Sequence, residues 1–313
     1  MKKILSSIVV LSGLLIACNN DPSVEEVEEA AEDITAGGVV DASEYENGDL
    51  LVSTDWLEED NGDVVVVDVR REGYEDGHIP GAVSVEPGQL SDPDNPVDGV
   101  LPPEEGFEAL MQEIGVNEET TVVAYDDGDS LWASRLFYAL ELYGHEDVRI
   151  LNGGFTAWLN DGKDVSTEAP EPERGNFTAQ LNPELQSSRE DVDANIGNEA
   201  TVFLDARSEG EYTGEDVRAE RGGHIPGAPH LEWSEAVSGD GVPYFKSAEE
   251  LEEQFAAAGV DRDKTIIPYC QTNVRGAHSY FSLRLLGFDD VKPYEGSWAE
   301  YGNDPDAEIE GSS

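Results

Sequence analysis

The chain has 313 residues, enough for two domains of ordinary size, each with its own core. Asp and Glu number 69 against 18 Lys and Arg, a formal charge of −51, which argues against nucleic acid and anionic lipid surfaces as partners. The acids are spread along the whole chain, and such a surface is relieved of its self-repulsion at about 1 M salt, where the Debye length is ~3 Å, so the composition predicts a halophilic-type protein working in high external salt.

Residues 1–17 read as a leader: the basic MKK, an apolar ILSSIVVLSGLLIA too short to span a bilayer, and small Ala17 directly before Cys18. The stretch LIAC (15–18) resembles a bacterial lipoprotein lipobox, which implies cleavage before Cys18, diacylation of its sulfur, and an exported protein held by lipid to the outer face of the cell membrane. Residues 18–48 are acidic, carry paired glycines and read as a flexible tether. With Cys18 set aside, one thiol, Cys270, remains, so no internal disulfide can form.

A first domain is placed at 49–165. Its VVVV (64–67) and TVVAY (121–125) are short apolar runs expected of strands covered on both faces, and SLWASRLFYALELYG (130–144) has apolar residues at helical spacing and stops at Gly144. HIPGA (78–82) reads as a turn, with Pro80 holding Ile79 extended and Gly81 permitting a tight reversal. The Pro- and Glu-rich segment 166–180 is taken as a linker.

A second domain, at 181–308, repeats the first. DVRREGYEDGHIPGA (68–82) returns as DARSEGEYTG and GHIPGA (205–228), TVVAYDD (121–127) as TIIPYCQ (265–271), and YGHEDVRILNGGFTAW (143–158) as LGFDDVKPYEGSWAEY (286–301). Alternating strands and helices predict an α/β fold in each copy, a mainly parallel sheet flanked by helices. Cys270 ends a predicted strand and precedes a predicted helix, so its sulfur is expected at the carboxyl edge of the sheet, where open α/β sheets place ligands. Loop amides, the helix N-terminus and Arg275 all favour a negative sulfur there. Pro268 is awkward inside that strand because it removes a ladder donor. The five histidines are scattered and neither cysteine has ligand spacing, so no metal and no cofactor is expected.

These paired segments, with the YCQTNVRGAH loop and the LNGGFTAW and YEGSWAEYG stretches, resemble the two-domain rhodanese family of thiosulfate and 3-mercaptopyruvate sulfurtransferases over residues 55–305. The resemblance implies tandem rhodanese-like domains. The second would be catalytic, with Cys270 as nucleophile in a six-residue loop completed by Gln271, Thr272, Asn273, Val274 and Arg275. The first would be an inactive copy, since Asp126 stands at its cysteine position and cannot carry a sulfane sulfur. It further implies double displacement through a Cys270 persulfide, from a small-molecule donor to a thiophilic acceptor, with the loop residues and Arg207 binding substrate. The basic loop ending at Arg275 tilts the expectation towards thiosulfate. Asn273 stands where family loops commonly carry Gly, and Asn tolerates positive φ best among the other residues. Two alternatives stay open: a non-catalytic lipoprotein that binds sulfane sulfur or a partner, and a cysteine phosphatase, whose loops place five residues between Cys and Arg where this one places four.

Overall fold

A computed structural model describes residues 41–59, 63–239 and 241–311. The leader, Cys18 and most of the tether lie outside the described residues, and the fold is that of the unit Val39–Ser313.

In the first copy the apolar runs form β2 (Val64–Asp68) and β4 (Thr121–Tyr125), joined by β1 (Leu51–Val52), β3 (Val83–Ser84) and β5 (Val148–Leu151). All five strands are parallel, in the order β1-β5-β4-β2-β3. In β4 every residue after Thr121 is buried, as a strand covered on both faces requires. The helical spacing of 130–144 becomes the helix Leu131–Leu142, closed by Gly144 at φ +88°.

The second copy repeats this order more sparsely. Strands β6 (Thr201–Asp205) and β7 (Thr265–Tyr269) pair in parallel, and single bridges Asp205–His230, Ile266–Val291 and Ser187–Tyr294 stand where the first copy has full ladders. Pro268 accounts for one of these gaps. It lies mid-strand opposite Leu204, and its carbonyl accepts from Tyr294 N–H at 2.9 Å on the other side. The N–H it lacks would face Lys292, whose carbonyl oxygen instead takes the Ser187 hydroxyl at 3.0 Å. A side chain thus replaces the missing ladder donor.

The two copies share one core. Helix Leu131–Leu142 packs on its counterpart, helix Val274–Leu285, through Phe137 edge-on to Phe281 at 4.8 Å and Tyr138 on Tyr280 at 5.2 Å. One cluster of buried side chains consequently runs from Phe107 and Leu136 to Phe281 and Leu283. The connecting segment 166–180 is extended and docked: Ser166 exchanges two backbone hydrogen bonds with His78, each 2.9 Å, and Phe177 is buried edge-on to Phe107.

The HIPGA segments are turns with structural histidines. His78 bonds the Tyr74 carbonyl at 2.9 Å and stacks on its ring; His224 does the same with Tyr212 at 2.8 Å. The Asp-x-Arg motif of each copy is likewise repeated. Arg70 grips Asp68 (2.6 Å) and the Gly77 carbonyl (2.7 Å), while Arg207 grips Asp205 and the Gly223 carbonyl, both at 2.6 Å. Both aspartates are fully buried. Removing one partner of such a pair leaves an uncompensated charge, so Arg70→Ala and Arg207→Ala should each cost about 3–5 kcal/mol. Urea unfolding in high-salt buffer checks this, and clearly unequal costs would separate the roles of the two arginines.

Candidate active site

Cys270 follows β7 directly and its side chain is 1% exposed. The base of its loop is fixed by the short helix Ser297–Tyr301: Trp298 N–H donates to the Cys270 carbonyl (2.9 Å), Ala299 N–H to that of Gln271 (2.8 Å), and Cys270 N–H to Ser297 Oγ (3.3 Å). Beyond the sulfur the chain turns through Asn273 at φ +55° and enters helix Val274–Leu285. The left-handed turn expected to be tolerated at Asn273 is therefore present. Among the described residues, the N–H groups of Thr272, Asn273, Val274, Arg275 and Gly276 donate to no protein group, leaving them, with the positive end of a twelve-residue helix, open beside the sulfur.

What such a ring of amides holds is visible in the first copy. Asp126 follows β4 as Cys270 follows β7, and Ser130 at φ +61° makes the equivalent left-handed turn. One carboxylate oxygen of Asp126 accepts from Gly128 and Ser130 N–H, each 3.0 Å, and the other from Trp132 (2.9 Å) and Ala133 (3.2 Å). Burial pushes its pKa up to about 6, against the opposing pull of these amides. The turn is an anion cradle, filled in the first copy by a tethered carboxylate.

Of the expected substrate contacts, the loop backbone is at the sulfur but several side chains face elsewhere. Asn273 and Val274 are buried, and Gln271 donates to the Arg218 carbonyl at 3.3 Å, so what these residues leave unspent is their backbone groups. Thr272 lies against the first copy: a methyl group added at Gly99 would run into its Cβ and carbonyl oxygen. Arg207 corrects the expectation of a second anion contact. Its guanidinium is spent on Asp205 and Gly223 and covered by the Trp298 ring at 4.3 Å, as its twin Arg70 is spent in the copy without a cysteine.

Arg275 does lie beside Cys270, but its fork is bound to Glu211 at 2.6 and 2.9 Å; burial works to lower its pKa, and the Glu211 hydrogen bond, with the charges of Cys270 and Glu211, outweighs that and raises it. Glu211 is buried, which would raise its pKa, yet the hydrogen bond and charge of Arg275 bring it down to about 2. Sequence reasoning passed over Glu211, although Ser208-x-x-Glu211 is a capping box and the structure has both of its bonds. Arg135 and Glu295 were missed as well, and nothing local marks them, because they meet only across the two copies. Nη2 of Arg135 lies 2.7 Å from Glu295 Oε1, and Arg135 adds a buried positive charge within reach of Cys270.

The site thus offers a single buried thiol in a ring of unspent amides at the carboxyl edge of a parallel sheet, suited to hold negative charge on sulfur or on an atom attached to it. Residues 53–161 and 188–304 each match the rhodanese-like domain. The chain is similar to the sulfur carrier protein TtuD of Thermus thermophilus, 39% identical over 278 residues that cover 83% of this chain and 95% of TtuD. It is also similar to the thiosulfate sulfurtransferase of Azotobacter vinelandii, 38% identical over 237 residues, 76% of this chain and 87% of that one. Among solved structures it superposes on SseA of Escherichia coli, described as a 3-mercaptopyruvate sulfotransferase, with TM-score 0.73 and 34% identity over 80% of this chain and 99% of SseA. With an open cysteine cradle in one half and a carboxylate-filled one in the other, the chain belongs to the rhodanese-like family, as a tandem pair of its domains.

Proposed function

We propose that the protein is a sulfurtransferase that moves a sulfane sulfur from thiosulfate, or from 3-mercaptopyruvate, to a thiophilic acceptor through a Cys270 persulfide. One observation carries this reading: the same turn that holds the Asp126 carboxylate with four N–H groups stands open around Cys270. The thiolate of Cys270 attacks the outer sulfur of thiosulfate, a new S–S bond forms, and the old one breaks with its electron pair leaving on sulfite. The terminal sulfur of the persulfide carries the negative charge, which the loop amides receive as an oxyanion hole receives oxygen. Cyanide or a thiolate then attacks that sulfur, takes it away, and returns the electron pair to Cys270.

Nucleophile and helix N-terminus are positioned by β7 and by the clamp from Ser297–Tyr301, so little ordering is left for the moment of reaction. Arg275, half-neutralised by Glu211, supplies a fixed positive edge. This pairing also bears on the phosphatase alternative, since the guanidinium that would clamp a phosphoryl group is held by a carboxylate. The leader and Cys18 support an exported protein anchored by lipid to the outer face of the cell membrane, with small molecules as its partners at the site.

Intact-mass measurement of the purified protein in high-salt buffer should show the gain of one sulfur atom after thiosulfate, reversed by cyanide and absent in Cys270→Ser. A gain with mercaptopyruvate alone would move the donor assignment, and no gain with either would sink the reading. Asp126→Ala should leave the rate of sulfur transfer within a few-fold of the wild type, because that cradle is already filled; loss of most activity would show that the first copy takes part in the chemistry. Detergent, and not high salt alone, should release the protein from membranes, whereas release by salt would contradict acylation at Cys18.

A further inference from the structure

We propose that Arg135, a residue of the copy without a cysteine, is a positioning residue for sulfur transfer: its guanidinium holds the left-handed turn at Asn273 and so aims the amides of the Cys270 loop. The proposal rests on the sulfurtransferase reading of that loop.

Arg135 is fully buried in helix Leu131–Leu142, and its fork faces the other copy. Nη1 donates to the Asn273 carbonyl (3.3 Å) and to Glu295 Oε2 (3.1 Å), and Nη2 donates to the Gly99 carbonyl and Glu295 Oε1, at 2.6 and 2.7 Å. Glu295 in turn accepts Asn273 Nδ2 at 2.7 Å and Leu101 N–H at 2.8 Å. Asn273 is therefore gripped at its carbonyl by Arg135 and at its side chain by Glu295.

The grip matters because of the conformation it maintains. A non-glycine residue at φ +55° is disfavoured, and Asn eases this only when its side chain bonds locally. Here the amide is spent on Glu295 and makes no capping bond to its own helix. What keeps the turn left-handed is thus the external network. In the first copy the equivalent turn at Ser130 brings the N–H groups of Ser130, Trp132 and Ala133 to one side, where they meet Asp126. The matching donors, counted from the start of the helix, are Asn273, Arg275 and Gly276. Rotating the peptide after Asn273 would swing the Val274 N–H that shares its plane and, with it, re-aim the first turn of the helix that carries the Arg275 and Gly276 N–H groups relative to that of Asn273. Lysine could pair with Glu295 but has no planar fork to reach Gly99, Asn273 and Glu295 together.

The test is the rate of Cys270 persulfide formation across thiosulfate concentrations, by rapid mixing and intact mass, alongside thermal unfolding. Arg135→Lys should stay folded, with its maximal rate down by about ten-fold to a hundred-fold, the scale of a small misplacement of reacting groups, and its half-saturating thiosulfate little changed. Arg135→Met/Glu295→Gln removes both charges while the Gln oxygen still accepts Leu101 N–H, so it guards against a single variant that unfolds; its maximal rate should fall alike. A merely structural role would lower the unfolding temperature and leave the maximal rate of the folded protein intact. Maximal rates within about two-fold of wild type in both variants, or a loss confined to half-saturation, would overturn the proposal. Wild-type protein that forms no Cys270 persulfide from either donor would instead overturn the sulfur-transfer reading, and this proposal with it.

Discussion

A strand that passes into a helix through a short left-handed turn leaves several N–H groups without carbonyl partners, and both halves of this protein are organised around what meets them. In the first half the chain supplies its own anion, the Asp126 carboxylate, and the cradle is closed. In the second half a thiol sits at the corresponding place and the donors stay open. Sheet order, the clamp behind the loop and the paired helices repeat in both halves because each cradle must be held at the carboxyl edge of its sheet. The two cradles differ in the group at their head, Asp126 or Cys270, and by one residue in the turn that follows, which reaches its left-handed residue at Ser130 in one and Asn273 in the other.

Much of this was legible in the sequence, for a physical reason. Strands buried on both faces must be apolar throughout, so β2, β4 and β7 show as runs, and tandem duplication doubled each signal. The Cys270 loop was legible because Gln, Thr, Asn and Arg beside a lone cysteine, between a strand and a helix, are not the apolar neighbours of a packed core thiol. Pro268 shows where such reading stops: its cost was foreseen, but its remedy, the Ser187 hydroxyl on the Lys292 carbonyl, lies far away in the chain. Arg207 and Glu211 were misjudged or passed over because a motif names a residue without saying which way its fork points. Arg135 and Glu295 could not be read at all, since a contact across two copies leaves no local periodicity or spacing.

Electrostatics inside the site differ from those of the surface. The chain carries −51 overall, yet both arginines within electrostatic reach of the sulfur are paired with carboxylates, Arg275 with Glu211 and Arg135 with Glu295. Such pairs give direction more than net charge, so the attraction felt by an anionic donor comes chiefly from amide dipoles and a helix terminus at short range. The acidic surface opposes that donor at long range, and salt removes long-range repulsion while leaving short-range hydrogen bonds nearly untouched. High ionic strength and a dipole-built site are therefore compatible in a way that a site built on unpaired lysines would not be.

The burial of Cys270 distinguishes its two chemical states. At 1% exposure the bare sulfur presents almost no surface to a second protein thiol, so the two are hindered from closing into a disulfide. A sulfur atom added to it would stand about 2 Å further along the bond, beyond the depth at which the bare thiol is covered. The burial that shields the thiol from other thiols would thus bear less on a sulfur atom carried at its end.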